Sequence, residues 1–170
     1  IHHLVDEFSS FARMPSPILK LININKVISE YVHPMMSSFD KVLIEIDDVL
    51  DNALIMGDEK QIRQACGNLI KNSYENITSN NIENARISIF FNIENNYASI
   101  FVNDNGTGID KSMISEITEP YFTTKVGGTG LGLAITKKII DDHNGTILIK
   151  SLKASKGTSI LLKFPLISKN

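Results

Sequence analysis

Apolar and polar positions alternate with two different periods along this chain, and the switches between them mark out its elements. Leu4, Val5, Phe8, Phe11 and Ala12 recur at helical spacing until Met14-Pro15-Ser16-Pro17, where proline removes a donor and restricts the residue before it. The pattern predicts a helix tail and a linker. Asn23 or Asn25 can cap a second helix reaching about Phe39, with Val27, Ile28, Tyr31 and Val32 inward and His33-Pro34 marking a kink or an early end. Val42–Ile46 and Ala53–Met56 read as short strands. From Asp58 to Ile77 the period returns to helical. Ile62, Cys66, Leu69 and Ser73 form one apolar or small face, and Gln61, Ala65, Asn68, Asn72 and Glu75 climb beside it.

Strict alternation then takes over. Ala85–Ile93 and Tyr97–Asn103 flank Glu94-Asn95-Asn96 and predict a hairpin. A short helix is expected from about Lys111 to Ile117. A longer one is expected from Leu131 to Asp142, with Leu131, Ala134, Ile135 and Ile139 inward and a stop at His143-Asn144-Gly145. Thr146–Leu152 and Thr158–Phe164 predict a closing hairpin. Strands and helices do not alternate one for one, which argues for an α+β layer of mixed sheet under helices and against a doubly wound parallel sheet.

Composition changes this picture little. The 170 residues suffice for one good-sized domain and a small appendage. A formal net charge of −2 gives no sign of a nucleic-acid surface. The single cysteine, Cys66, excludes an internal disulfide and reads as a small core residue. No apolar run approaches the roughly 18 residues a membrane span needs. The chain opens at Ile1 in mid-pattern, so it is expected to be part of something longer.

Four stretches carry chemistry. Asn68 and Asn72 lie one turn apart, and their carboxamide oxygens can reach a single cation such as magnesium, which takes its remaining ligands from phosphate and water. A polar helix face that tolerates asparagine is the plain alternative. Asp104, at the end of a buried strand, can accept from an exocyclic amine such as that of adenine. Gly106 and Gly108 let backbone and base approach, although Asp-Asn-Gly is also a common turn. Lys125 can meet a terminal phosphate as a point charge, while Gly128, Gly130 and Gly132 open a helix whose free N–H groups face an anion. Lys156-Gly157-Thr158 can bring a hydroxyl beside the Asp104 carboxylate, or can be an ordinary hairpin turn.

Taken in order, these stretches resemble the ATP-binding domain of sensor histidine kinases. Asn68-Leu-Ile-Lys-Asn72 is similar to the N box, and Asp104-Asn-Gly-Thr-Gly108 to the first glycine box. Glu119-Pro-Tyr-Phe-Thr-Thr-Lys125 is similar to the F box, Gly128-Thr-Gly-Leu-Gly132 to the second glycine box, and Lys156-Gly-Thr158 to the third. The tail Val5-Asp-Glu-Phe-Ser-Ser-Phe-Ala-Arg-Met-Pro15 resembles the end of the dimerisation domain in nitrogen-regulation kinases of the NtrY type. The resemblance implies a Bergerat-type two-layer α/β sandwich: a mixed, mostly antiparallel sheet of about five strands under three main helices. It divides the chain into residues 1–17, the end of a dimerisation helix and linker, and residues 18–170, the catalytic domain.

It also implies roles. Asn72 would be the main magnesium ligand, Asn68 a second, and these two with Lys125 the catalytic set. Asp104 would recognise adenine. Gly106, Gly108, Ile109, Thr123, Thr124, Lys125, Gly128, Thr129, Gly130, Leu131, Gly132, Leu133 and Thr158 would line the ATP site. Tyr121-Phe122 would dock on the dimerisation helices, and residues 123–129 would form a mobile lid. The implied partners are a phosphoacceptor dimerisation domain missing from this chain and a response-regulator receiver. The chain alone would be a monomer and its parent a membrane-anchored homodimer with this domain in the cytoplasm.

Two departures stand out. Many histidine kinases carry a lysine three residues after the second N-box asparagine, where this chain has Glu75. No histidine here has an acceptor's context: Leu4 and Val5 follow His2 and His3, His33 precedes Pro34, and His143 ends a helix. Solvated or capping roles are expected for all four. Rival readings remain. ATP hydrolases of the same superfold place a glutamate where Asn68 stands, and an amide cannot act as general base. A non-enzymatic nucleotide-binding module would share every box. A dinucleotide-binding oxidoreductase would need a further glycine spacing, which Leu133 interrupts, and a preceding strand.

Overall fold

The computed structural model describes residues 5, 8, 9, 11–125, 127–152 and 157–167. Two sheets and three helices organise them. A small antiparallel sheet joins β1 (Lys20–Asn23) to β3 (Leu54–Gly57). The main sheet runs in the order β2-β4-β5-β7-β6, where β2 is Leu43–Ile46, β4 Arg86–Glu94, β5 Tyr97–Asp104, β6 Thr146–Ser151 and β7 Thr158–Pro165. Among the described residues only β2 and β4 pair in parallel; the other pairs are antiparallel. Helices α1 (Ile24–Met35), α2 (Glu59–Ser79) and α3 (Gly132–Asp142) complete the α+β layer of mixed sheet under helices expected from the pattern, and with it the sandwich that the resemblance implied.

The period-2 rule decides which sheet face meets the helices. Ile87, Ile89 and Phe91 of β4, Ala98, Ile100 and Val102 of β5, and Ile160, Leu162 and Phe164 of β7 are all buried. They pack with Leu69, Ile70 and Ile77 of α2 and Ile139 and Ile140 of α3 in one core. The alternate residues face away. Phe90, Phe101, Leu161 and Leu148 are register partners across four strands, and the two phenyl rings stack at 4.5 Å.

Local chemistry sets the element ends. Asn95 and Asn96, with φ of 51° and 64°, make the two-residue turn that the right-handed twist of β4 and β5 favours. Asn23 caps α1, accepting from the Lys26 N–H and donating to the Leu50 carbonyl. Pro34 falls in the last turn of α1. The helix therefore stops at Met35 and tightens into a 3₁₀ turn at Met36–Ser38 instead of continuing to Phe39. Asp58 caps α2 through the N–H groups of Lys60 and Gln61.

Two expectations change. The helix expected over 111–117 is a run of turns, closed chiefly by three-residue bonds such as Met113 N–H to Asp110 O and Glu116 N–H to Met113 O. Asp110 accepts both the N–H and the hydroxyl of Ser112, so a side chain takes the backbone's place in the first turn. A segment this short, with Ile117 its only buried apolar side chain, cannot meet the cost of helix nucleation. Strand β1 was not expected; among the described residues it pairs only with β3.

His143 is buried instead of solvated. Its Nδ1–H donates to the Ile139 carbonyl at 2.7 Å, and its Nε2 accepts the Asp58 N–H at 2.9 Å. It thus caps the end of α3 and ties it to the start of α2. His33 is exposed and bonds within its own helix to Ser29; His2 and His3 lie outside the described residues. Cys66 is a buried core residue, and burial pushes its thiol up to about 12.

Candidate functional site

The site begins with an aspartate on the wrong side of a strand. Ala98, Ile100, Val102 and Asp104 occupy successive helix-facing positions of β5, so the pleat drives a carboxylate into the layer between sheet and helices. Asp104 is only 6% exposed. Burial raises its pKa, and hydrogen bonds from the Gly106 N–H, the Ser73 hydroxyl and the Thr158 N–H only partly offset that. The Gly106 N–H reaches Oδ1 at 2.9 Å and the Ser73 hydroxyl reaches Oδ2 at 3.0 Å. A carboxylate has about four acceptor positions, so with these three donors it keeps capacity for one more.

Helix α2 forms one wall. The Asn68 Nδ2 donates to the Gly132 carbonyl at 3.2 Å and to the Thr136 hydroxyl at 3.5 Å, fastening α2 to the first turn of α3. One turn on, Asn72 Oδ1 accepts from the Lys125 ammonium at 3.5 Å. Lys125 lies closer still to Glu75, 2.6 Å from Oε2. Asn76, on the next turn, accepts the Thr107 hydroxyl at 3.1 Å and so steadies the turn after Asp104. Gly108 and Ile109 complete that turn, with the Ile109 N–H on the Ser151 hydroxyl.

The opposite wall is the stretch from Glu119 to α3. Gly130 sits at φ +69°, and a Cβ there would lie 2.4 Å from the Tyr121 carbonyl carbon; the Tyr121 N–H bonds the Gly130 carbonyl at 3.0 Å. Only glycine allows the aromatic turn and the glycine loop to close on one another. Between them, the Thr123 hydroxyl accepts the Lys125 N–H, Thr124 is exposed, and the Gly128 N–H bonds the Lys125 carbonyl. The Thr129 hydroxyl accepts the Leu131 N–H. Leu131 is fully buried and Leu133 packs partly on the core, anchoring the start of α3. That start has no side-chain cap and no acidic residue in its first turn, which leaves N–H groups and the positive dipole end to a ligand.

The third glycine element closes the floor. A Cβ on Gly157 would fall 2.1 Å from the Asp104 carbonyl oxygen, so a side chain there would separate β5 from β7. Thr158, the register partner of Asp104, is buried. Lys156 lies outside the described residues. The F-box ring of Tyr121 is exposed and stacks on Phe8 of the N-terminal tail, with centroids 6.3 Å apart.

The structure therefore gathers Asn68, Asn72, Asp104, Lys125 and the glycine loops around one site between α2, α3 and the end of β5. Three contributors were missed from the sequence, one of which left a signal there. Ser73 reads as a small core residue, yet its hydroxyl serves Asp104. Asn76 follows Asn72 at the same interval as Asn72 follows Asn68, so the stripe itself was its signal. Glu75 pairs with a lysine 50 residues away, which no local pattern shows. A magnesium ion fits this donor set: Asn72 Oδ1 already faces a cation, and a hard ion that keeps water and phosphate oxygens needs few protein ligands.

A family model described as "Histidine kinase-, DNA gyrase B-, and HSP90-like ATPase" matches residues 57–168. A putative NtrY-like sensor histidine kinase of Rickettsia conorii is 32% identical over 166 residues, covering 98% of this chain and 27% of the relative. The chain thus spans about a quarter of the length of that curated relative. The nucleotide-free catalytic domain of the histidine kinase ThkA superposes with a TM-score of 0.72 at 29% identity, covering 87% of this chain and 95% of that one. ThkA in complex with the response regulator protein TrrA gives a TM-score of 0.79 at 22% identity, covering 98% and 47%, a likeness of fold.

Proposed function

The chain belongs to the histidine kinase-, DNA gyrase B- and HSP90-like ATPase family, and on that premise we propose that it is the ATP-binding catalytic domain of an NtrY-like sensor histidine kinase. Its parent would donate the γ-phosphoryl of ATP to a histidine on a dimerisation domain, for relay to a response-regulator aspartate. The observation that carries the kinase reading is Asn68. Where the hydrolase branch of this superfold places a glutamate, an amide stands here, with its nitrogen on the Gly132 carbonyl. An amide cannot take a proton from water, so the site suits holding ATP for a nucleophile supplied from outside.

Each residue has a part. Asp104 accepts the adenine amine, a donor that guanine lacks at that position. The N–H groups opening α3 and the Lys125 ammonium hold the phosphates. Asn72, with Asn68 beside it, presents oxygen to magnesium, which when bound neutralises phosphate charge. In the transfer itself, an imidazole nitrogen of the acceptor bonds to the γ-phosphorus as the bridging oxygen leaves with ADP. The chain's task is placement and electrostatics.

Residues 1–17 are read as the end of a dimerisation helix and linker, and 18–170 as the catalytic domain. The Phe8–Tyr121 stack supports F-box docking on that helix, and the Gln61 amide on the Pro15 carbonyl and the Ile18 N–H on Asp58 support a linker laid against the domain. The response-regulator partner and a membrane-anchored, dimeric parent with this domain in the cytoplasm are carried over from the likeness to NtrY-like kinases. Among the described residues no helix is long and apolar enough to cross a membrane.

The test is incubation with γ-labelled ATP, alone and with a separate acceptor domain, together with a phosphate-release assay. The expected result is acid-labile, alkali-stable label on the supplied domain, none on this chain, and slow phosphate release. Rapid release without transfer would place the chain with the hydrolases, and ATP binding with neither would favour a regulatory module.

A further inference from the structure

Glu75 stands where a basic residue would be expected, and its closest charged neighbour is Lys125, the one lysine of the glycine-bounded loop. The Lys125 ammonium lies 2.6 Å from Glu75 Oε2 and 3.5 Å from Asn72 Oδ1. Lys71, one turn before Glu75 on the same helix, is 3.9 Å from its other oxygen and 62% exposed, so it is the weaker partner. The ammonium therefore sits on the same carboxamide oxygen that the nucleotide-site reading gives to magnesium, and a carboxylate holds it there. One oxygen in one geometry does not serve both cations.

Building on that reading, we propose that Glu75 is a positioning residue that acts through Lys125. It latches the loop at Lys125 onto α2 in the absence of nucleotide, and gives up the lysine to phosphate when ATP enters. The charges make the exchange work. Without nucleotide, Lys125 pairs with one carboxylate among the described residues. The polyphosphate of ATP offers a larger negative charge at the same place and takes the lysine, and the oxygen of Asn72 is then free for the metal. Both side chains are more than a third exposed, so the pair is screened and its strength modest. The latch thus biases the loop without blocking it. Glu75 lowers nucleotide affinity somewhat and keeps the phosphate-binding lysine at the mouth of the site instead of free in solvent.

The experiment compares the parent with Glu75→Gln, Lys125→Met and the double variant. Calorimetry with ATP is run with and without magnesium, and amide exchange is followed across residues 123–130 without nucleotide. Glu75→Gln should tighten ATP binding about two- to fivefold, the range of an exposed ion pair, with or without magnesium. The gain should vanish in the Lys125→Met background. Without nucleotide, Glu75→Gln and Lys125→Met should each speed exchange in the loop, and the double variant should be no faster than either. Weaker magnesium-ATP binding in Glu75→Gln would make Glu75 a metal ligand and overturn the latch, as would a gain that survives removal of Lys125. Failure of the parent to bind ATP would instead refute the nucleotide-site reading. The exchange arm decides the latch by itself in that case, and unchanged loop exchange in Glu75→Gln overturns it.

Discussion

Asp104 shows how one side chain can serve function against stability. Burial raises its pKa, so the native state holds the proton more tightly than the unfolded chain does. Any contribution it makes to stability is therefore full below the ordinary carboxylate pKa of about 3.9 and is lost as pH rises through the folded-state value. At neutral pH the ionised carboxylate is a burden. Asp104→Asn removes it, and an amide can still accept from the Gly106 N–H and donate to a Ser73 hydroxyl turned to receive it. The variant should melt higher than the parent at pH 7, with the gap narrowing on acidification, while ATP binding weakens by about 1–3 kcal/mol. Thermal scans against pH, paired with calorimetry, check both halves; a lower melting point at pH 7 or unchanged ATP affinity would contradict the assignment. The position was legible because alternation carries Ala98, Ile100 and Val102 directly to it. Its partner Ser73 was not, since a serine on an apolar helix face looks like a space-filler until the strand beneath it is known.

Among the elements, α2 carries most of the site, and Asp58 starts it. Its carboxylate receives the N–H groups of Lys60 and Gln61 at 3.0 and 3.2 Å and that of Ile18 at 2.8 Å. Burial alone would raise its pKa, but these bonds, with the nearby His143, lower it. A lowered folded-state pKa means stability present above about pH 3.9 and lost as pH falls through the folded value. Asp58→Ala should cost about 1 kcal/mol, the usual loss for a helix cap, at neutral pH. Urea midpoints of parent and variant should converge in acid. An equal difference at every pH would mean that the cap acts through shape and not through its charge. The same bonds explain why element starts were readable: caps announce themselves in sequence. Segment 111–117 misled because Asp110-Lys-Ser112 looks like a helix start yet closes a turn of its own. Strand β1 has only Lys20-Leu-Ile-Asn23 to declare it, and β3 alone gives it a partner.

For the whole molecule, the order of strands in the main sheet has a consequence in time. Strands β4 and β5 are joined by the two residues Asn95 and Asn96, so their pairing closes the shortest loop in the sheet. Strand β2 is different: to lie parallel to β4, Leu43 must find Arg86 across the whole of α2. Loop closure of that length has to come before the contacts that reward it. The β4–β5 hairpin should therefore belong to the folding nucleus, and the edge strand should dock after the rate-limiting barrier. Replacing Asn95 and Asn96, both at positive φ, with alanine should chiefly slow refolding. Ile44→Val, at a buried position of β2, should chiefly speed unfolding. Stopped-flow chevrons would reveal the opposite partition if the parallel pair formed first. The edge farthest from the glycine loops would then be the first part of the sheet to open and the last to form, while the strand that ends in Asp104 is among the earliest in place.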